Sequence, residues 1–199
     1  TAVAAPLMRV NIDTDVIIPS KEMKGVTKVG LSVGMFANWR YTDPVARVEN
    51  PDFVLNKEPT RHAKILLAGA NFGCGSSREH AVWAMAEYGF RAVIAPSFGA
   101  IYFGNCVVNG ILPVVLPDAA VEALAKWVEA DPAKNLITID LPHQTVTGPS
   151  GALHKFEIAA ADKEMLLEGL DPIGLTLKRE PEIAAFEAKD RTRRPWVYI

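Results

Sequence analysis

The chain has 199 residues, 49% hydrophobic and 22% charged, with 21 Lys and Arg against 23 Asp and Glu and a formal charge of −2. That length buries an ordinary core, and the near-neutral balance lacks the basic stripe that nucleic acids and anionic membranes call for; neither is an expected partner. Cys74 and Cys106 are too few for a disulfide scaffold, a structural zinc site or an iron–sulfur cluster, and with no membrane-length apolar run and no secretory pattern over residues 1–9 the expected compartment is cytoplasmic.

Asn11-Ile12-Asp13-Thr14-Asp15 is a turn-forming polar cluster, and the β-branched Val16-Ile17-Ile18 after it predicts a short strand ending at Pro19. Residues 20–34 carry Lys21, Lys24 and Lys28 with Gly25, Gly30 and Gly34 and no sustained period, which predicts a mobile loop. Residues 38–58 are irregular, although Phe53-Val54-Leu55 could pair briefly. The apolar run 64–69 ends in glycine, as expected of a strand covered on both faces. It leads through Ala70-Asn71-Phe72-Gly73-Cys74-Gly75 into a helix starting near Ser76 and stopping near Gly89, with Ser76 and Glu79 at capping-box spacing. A strand at 92–95, a short helix at 97–105 and an extended segment at 112–116 follow. Val121, Leu124 and Val128 mark a helix over 118–130. Three short strands are expected at 136–140, 145–147 and 153–158, then a helix at 161–169. A C-terminal helical tail at about 180–199 starts its helix at Pro181 and carries the basic run Arg191-Thr192-Arg193-Arg194. Strand and helix signals thus alternate without an internal repeat, and residues 1–199 read as a single α/β domain.

The segment with most chemistry is the strand, the Gly73-Cys74-Gly75 turn and Ser76-Ser77-Arg78-Glu79-His80 at a helix start. Two glycines permit a tight turn and close backbone approach, and first-turn N–H groups with the helix dipole favour an anion. Arg78 adds a guanidinium fork suited to a carboxylate, so the set suits a small di-acid or a phosphate. A serine hydroxyl is a poor base, but N–H donors and a nearby guanidinium would stabilise the Ser76 alkoxide. On spacing alone, Ser76 reads equally well as an N-cap and Arg78 as a solvated helix residue. A dinucleotide fingerprint fails, because its third glycine is missing. Cys74 near a helix N-terminus, with His80 beyond it, leaves a cysteine-dependent hydrolase open, as does a non-catalytic anion-binding module. Asp13 and Asp15 are either turn residues or a functional carboxylate pair, with the turn reading favoured.

Asn11 to Pro19, Asp52 to Asn56, Asn71 to His80, Ala95 to Gly99, Gly104-Asn105 and Asn109 to Pro113 together resemble the small subunits of 3-isopropylmalate dehydratase, which are similar to the swivelling C-terminal domain of aconitase. The resemblance implies a swivelling β/β/α domain and a separate large subunit that holds a [4Fe-4S] cluster, whose open iron takes the leaving hydroxyl as a Lewis acid. It implies isomerisation of 2-isopropylmalate to 3-isopropylmalate through 2-isopropylmaleate, in leucine biosynthesis. By the same resemblance Ser76 is the general base, Ser77 helps bind and place the substrate through its backbone N–H, Arg78 clamps a carboxylate, and Asp15 belongs to the active-site wall or supports a catalytic partner. Where aconitase has a serine three positions after the aspartate this chain has Ile18, and the following loop has no arginine before Arg40. Both departures favour a substrate with an apolar group in place of a third carboxylate. Lys21-Glu22-Met23 stands where the family usually has an aromatic and a leucine, which keeps a methylmalate and citraconate pair open as substrates.

Overall fold

The computed structural model describes residues 1–23, 27–75 and 78–198. The chain opens with β1 (Ala4–Leu7) and a one-turn helix α1 (Thr14–Ile17), then α2 (Ala37–Arg40) and a small hairpin of β2 (Tyr41–Asp43) and β3 (Val48–Glu49). Next come β4 (Ile65–Ala68), α3 (Glu79–Tyr88), β5 (Ala92–Ala95), α4 (Ala100–Val108), β6 (Leu112–Val115) and α5 (Asp118–Ala130). The remainder comprises β7 (Thr138–Asp140), β8 (Thr145–Thr147), β9 (Leu153–Lys155), α6 (Ala160–Glu168), α7 (Pro172–Leu177) and α8 (Glu180–Arg193).

Strands β1, β4, β5 and β6 form a parallel sheet in that order, and β7, β8 and β9 an antiparallel one. Register explains how four-residue strands with little polarity can be stable. Ala4, Ile65, Ala92 and Leu112 lie side by side, as do Ala5, Leu66 and Val93 one residue on. Side chains alternate across a strand, so the first row packs with α5 and the antiparallel sheet through Leu124, Val128 and Val146. The second row packs with α1, α3 and α4 through Ile17, Met85 and Cys106. Each fully buried leucine or isoleucine contributes about 1.5–3 kcal/mol by leaving water. This is the α/β architecture expected, with both faces of the parallel sheet covered.

Several elements differ from expectation. The predicted strand at 16–18 is helix α1, because the Asp13 side chain accepts from the Val16 N–H at 2.7 Å and nucleates a helical turn despite the β-branched run. Phe53-Val54-Leu55 does not pair; Val54–Asn56 is a 3-10 turn. Helix α3 begins at Glu79 with extended Arg78 as its N-cap, a little later than the start predicted near Ser76, and the Ser76 half of the predicted capping box lies outside the described residues. Strand β1 and helix α7 have no counterpart among the predicted elements. The latter starts at an Asp171 cap that accepts from the Gly174 N–H at 2.7 Å, followed by Pro172.

The span 20–34 contains two 3-10 turns, Ser20–Glu22 and Ser32–Gly34. Its far end is fastened, since Leu31 is buried and the Glu87 carboxylate accepts from the Gly30 and Ser32 N–H groups at 2.6 and 2.7 Å. Lys24 and Gly25 lie outside the described residues.

Candidate functional site

The site is built where three parallel strands end. The loops after β1, β4 and β5 are stitched by main-chain bonds: Asn11 N–H to Ala70 O at 2.9 Å, Gly73 N–H to Ile12 O at 2.7 Å, and Phe72 N–H to Ser97 O at 3.0 Å. Asn11 and Asn71 both sit in the left-handed region, φ 54° and 60°, which asparagine tolerates, and the Asn71 amide donates to Asn11 Oδ1 at 2.8 Å. The Asn71 N–H also donates to Ser97 Oγ at 2.8 Å. Carboxyl ends of parallel strands are where open α/β sheets place ligands.

The Gly73 requirement has an internal cause. Its φ is +72° and a Cβ there would lie 2.1 Å from a Tyr102 ring carbon. A Cβ on Gly99 would in turn lie 2.6 Å from the Gly73 carbonyl. The close approach expected toward a ligand is therefore, at Gly73, an approach of the site loop to its own support, and Gly99 packs against the same turn. Tyr102 is fully buried and its hydroxyl meets Met85 Sδ at 2.8 Å. The turn thus rests on the core beneath α3.

Arg78 projects from this turn toward the loop after β1. Its Nε lies 3.4 Å from Asp15 Oδ1, and its Nη1 donates to Ser20 Oγ at 3.0 Å with Met23 Sδ at 3.9 Å. The two aspartates therefore divide: Asp13 caps α1, while Asp15 faces the guanidinium. The Arg78 and Asp15 side chains are 36% and 52% exposed, and so open a pair contributes about 0–1 kcal/mol. Ser76 and Ser77, the expected base and substrate-placing residue, lie outside the described residues. Sequence reasoning missed Ser20 and Met23 as neighbours of Arg78, since no period ties the loop to the helix start.

Ile18, which stands where aconitase has a serine and in the sequence favours an apolar substrate group, is fully buried in the core and presents no surface to a ligand. Among the described residues an apolar group beside Arg78 is Met23. The Lys28 ammonium is directed elsewhere, 3.4 Å from Asn109 Oδ1 and 4.9 Å from the Trp83 ring centre. Cys106 and Tyr102 are each buried, which pushes the thiol and the hydroxyl well up, so both stay neutral. Cys74 is half-buried, and its carbonyl accepts from the Thr14 N–H at 3.1 Å. The His80 ring packs 4.7 Å from that of Trp83. Among the described residues no group of three His, Cys, Asp or Glu could hold a metal ion, and none of the helices there is long and apolar enough to cross a membrane.

Three family models match in order along the chain: the aconitase C-terminal domain over residues 1–119, LeuD_N over 122–160, and the C-terminal domain of the 3-isopropylmalate dehydratase small subunit over 173–198. A 3-isopropylmalate dehydratase small subunit from Cupriavidus necator is 57% identical over 99% of this chain and 95% of its own length. One from Paramagnetospirillum magneticum is 52% identical, covering 99% and 96%. The chain belongs to the 3-isopropylmalate dehydratase small-subunit family. As a small subunit of an aconitase-like hydro-lyase it implies a larger partner chain. A crystal structure of 3-isopropylmalate dehydratase from Methanocaldococcus jannaschii shares the fold, with a TM-score of 0.64 at 24% identity over 92% of this chain and 96% of that one. The fold expectation and the family resemblance both hold.

Proposed function

We propose that this chain supplies the proton-transfer and carboxylate-binding part of a leucine-biosynthetic dehydratase that interconverts 2-isopropylmalate and 3-isopropylmalate through 2-isopropylmaleate. The observation that carries the proposal is Arg78, a guanidinium aimed across the strand ends and facing an exposed carboxylate. Family membership supplies the substrate.

In this reading Arg78 takes a substrate carboxylate bidentately, which fixes the carbon chain against the start of α3. The Ser77 N–H adds a second point of attachment. Ser76, as the alkoxide, removes the proton α to that carboxylate; the C–H electron pair becomes the new double bond as the hydroxyl leaves the adjacent carbon. Rehydration reverses the roles of the two carbons, with the proton returned by Ser76. Met23, a thioether beside the guanidinium, suits an alkyl substituent better than a third carboxylate. Asp15 holds Arg78 in place until the substrate arrives.

Residues of this chain do not fit an iron–sulfur cluster, with one of its two thiols buried and neutral. A [4Fe-4S] cluster is accordingly proposed for the large subunit, where it would assist departure of the hydroxyl, and no step on this chain runs through it. The complex with its large subunit, assayed by absorbance of the unsaturated intermediate, tests the assignment. Ser76→Ala is expected to lower kcat about 10²–10⁴-fold. Unchanged turnover would remove Ser76 from the role of base, and a higher kcat/KM for methylmalate than for isopropylmalate would reassign the substrate.

A further inference from the structure

The helix start that carries Arg78 is bracketed from outside. Glu79 is the first residue of α3, and its Oε1 accepts from Asn109 Nδ2 at 2.9 Å and from Trp83 Nε1 at 3.1 Å. Asn109 is the C-cap of α4, and its Nδ2 also donates to the Asn105 carbonyl at 2.8 Å. Its Oδ1 faces the Lys28 ammonium, so acceptors surround the amide nitrogen and a donor meets the oxygen, which fixes the orientation of the amide. Three separate segments thus meet at one carboxylate oxygen: the start of α3, the end of α4 and, through Asn109, residue 28.

Capping-box spacing ties Glu79 to Ser76, which lies outside the described residues. The described contacts of its carboxylate join Trp83 of its own helix to Asn109 of the neighbouring one. We propose that Glu79, through Asn109, is a positioning residue for Arg78. The inference rests on the reading of Arg78 as the substrate clamp. Arg78 is the N-cap, with extended backbone at φ −75° and ψ 125°, so the place of its Cα follows the helical turn that comes next. A turn able to slide would carry the guanidinium with it, and a misplacement of about 1 Å costs up to about 10²-fold in rate. What the role requires is an oxygen acceptor at glutamate length, with or without charge.

That requirement sets the test, which uses steady-state kinetics of the complex with its large subunit. Glu79→Ala and Asn109→Ala are each expected to raise KM for isopropylmalate about 10-fold or more, with kcat changed much less. The double variant is expected to be no worse than either single one, because the two side chains act as a unit. Glu79→Gln, which keeps the oxygen, is expected to restore KM. Glu79→Asp, which keeps the charge but withdraws the oxygen, is expected to behave like Glu79→Ala. A normal Asp variant with an impaired Gln variant would make charge the requirement and overturn the proposal. So would variants that lower the melting temperature while KM stays fixed. Arg78→Lys is run alongside: if it leaves KM unchanged, the clamp reading itself falls, whereas a raised KM there with normal Glu79 and Asn109 variants removes the positioning role alone.

Discussion

Helices α3 and α8, of 10 and 14 residues, are stabilised in opposite ways. Helix α3 buries Ala81, Val82, Ala84 and Met85 against the sheet, and Met85 receives the Tyr102 hydroxyl that also underlies the Gly73 turn. Helix α8 buries Asp190 and nothing else. Its closure is local: Arg194 donates twice to the Asp190 carboxylate at 2.7 Å, and the Tyr198 hydroxyl donates once at 2.9 Å. Ile183 and Phe186 stay exposed and line, with Leu175, a groove of about 890 Å³ between α8, α7 and α6. A helix positioned by the core can hold a functional group such as Arg78 to a fixed place. One positioned by its own ion pairs can shift without disturbing the sheet.

This contrast can be broken at four points, in falling order of effect. Met85→Ala should cost about 2–5 kcal/mol in urea unfolding, because it opens a cavity beneath both α3 and the site turn. A much smaller loss would mean that α3 is not held by its buried face. At the last turn of α3 the expected effect is on pH dependence. Burial alone would raise the carboxyl of Glu87, but the Gly30 and Ser32 N–H groups outweigh it and hold it below the ordinary value. A lowered folded value means that the contribution is whole above the unfolded pKa, about 4.3, and is lost as pH falls through the folded one. Hydrogen exchange at Gly30 and Ser32 should therefore stay slow at neutral pH and quicken, after correction for intrinsic rates, only below about pH 4. Uniformly fast exchange at pH 7 across 20–34 would instead extend the expected loop mobility to its fastened end.

The remaining two tests fall on the tail. Arg194 holds the Asp190 carboxyl below its usual value against the opposing effect of burial. Asp190→Asn is thus expected to quicken exchange over residues 191–198 while the urea midpoint of the whole chain stays put. Phe186→Ala should change stability by less than about 0.5 kcal/mol, as for an exposed residue outside the core. A larger loss would show α8 to be packed, and the contrast with α3 would disappear.

What is legible in the sequence follows the same division. Strands β4, β5 and β6 and helix α5 show in the pattern because burial on one face or both selects apolar residues at the helical or strand period. Strand β1 hides because Ala-Ala-Pro-Leu has weak β propensity and carries a proline, which is tolerated since β1 is an edge strand. Helix α1 hides because one capping bond from Asp13 overrides the preference of Val16 and Ile17. Within the site, the segment Gly73 to Arg78 stands out by composition, and the Arg78 neighbours Ser20 and Met23 do not. Their contact spans more than 50 residues of sequence and depends on a loop without periodicity. Glu79 shows in the spacing through its capping-box position, while only the fold brings Asn109 within reach.

The two outer strands of the parallel sheet share one further property. Pro6 lies in β1 and Pro113 in β6, each paired on one side only, with Leu67 and Val93 respectively. A proline has no N–H to offer, so each outward edge presents an interrupted row of donors. Neither border is a good template for adding a strand, and polymerisation by sheet extension is disfavoured at both. A further chain is thereby steered away from these two borders of the parallel sheet.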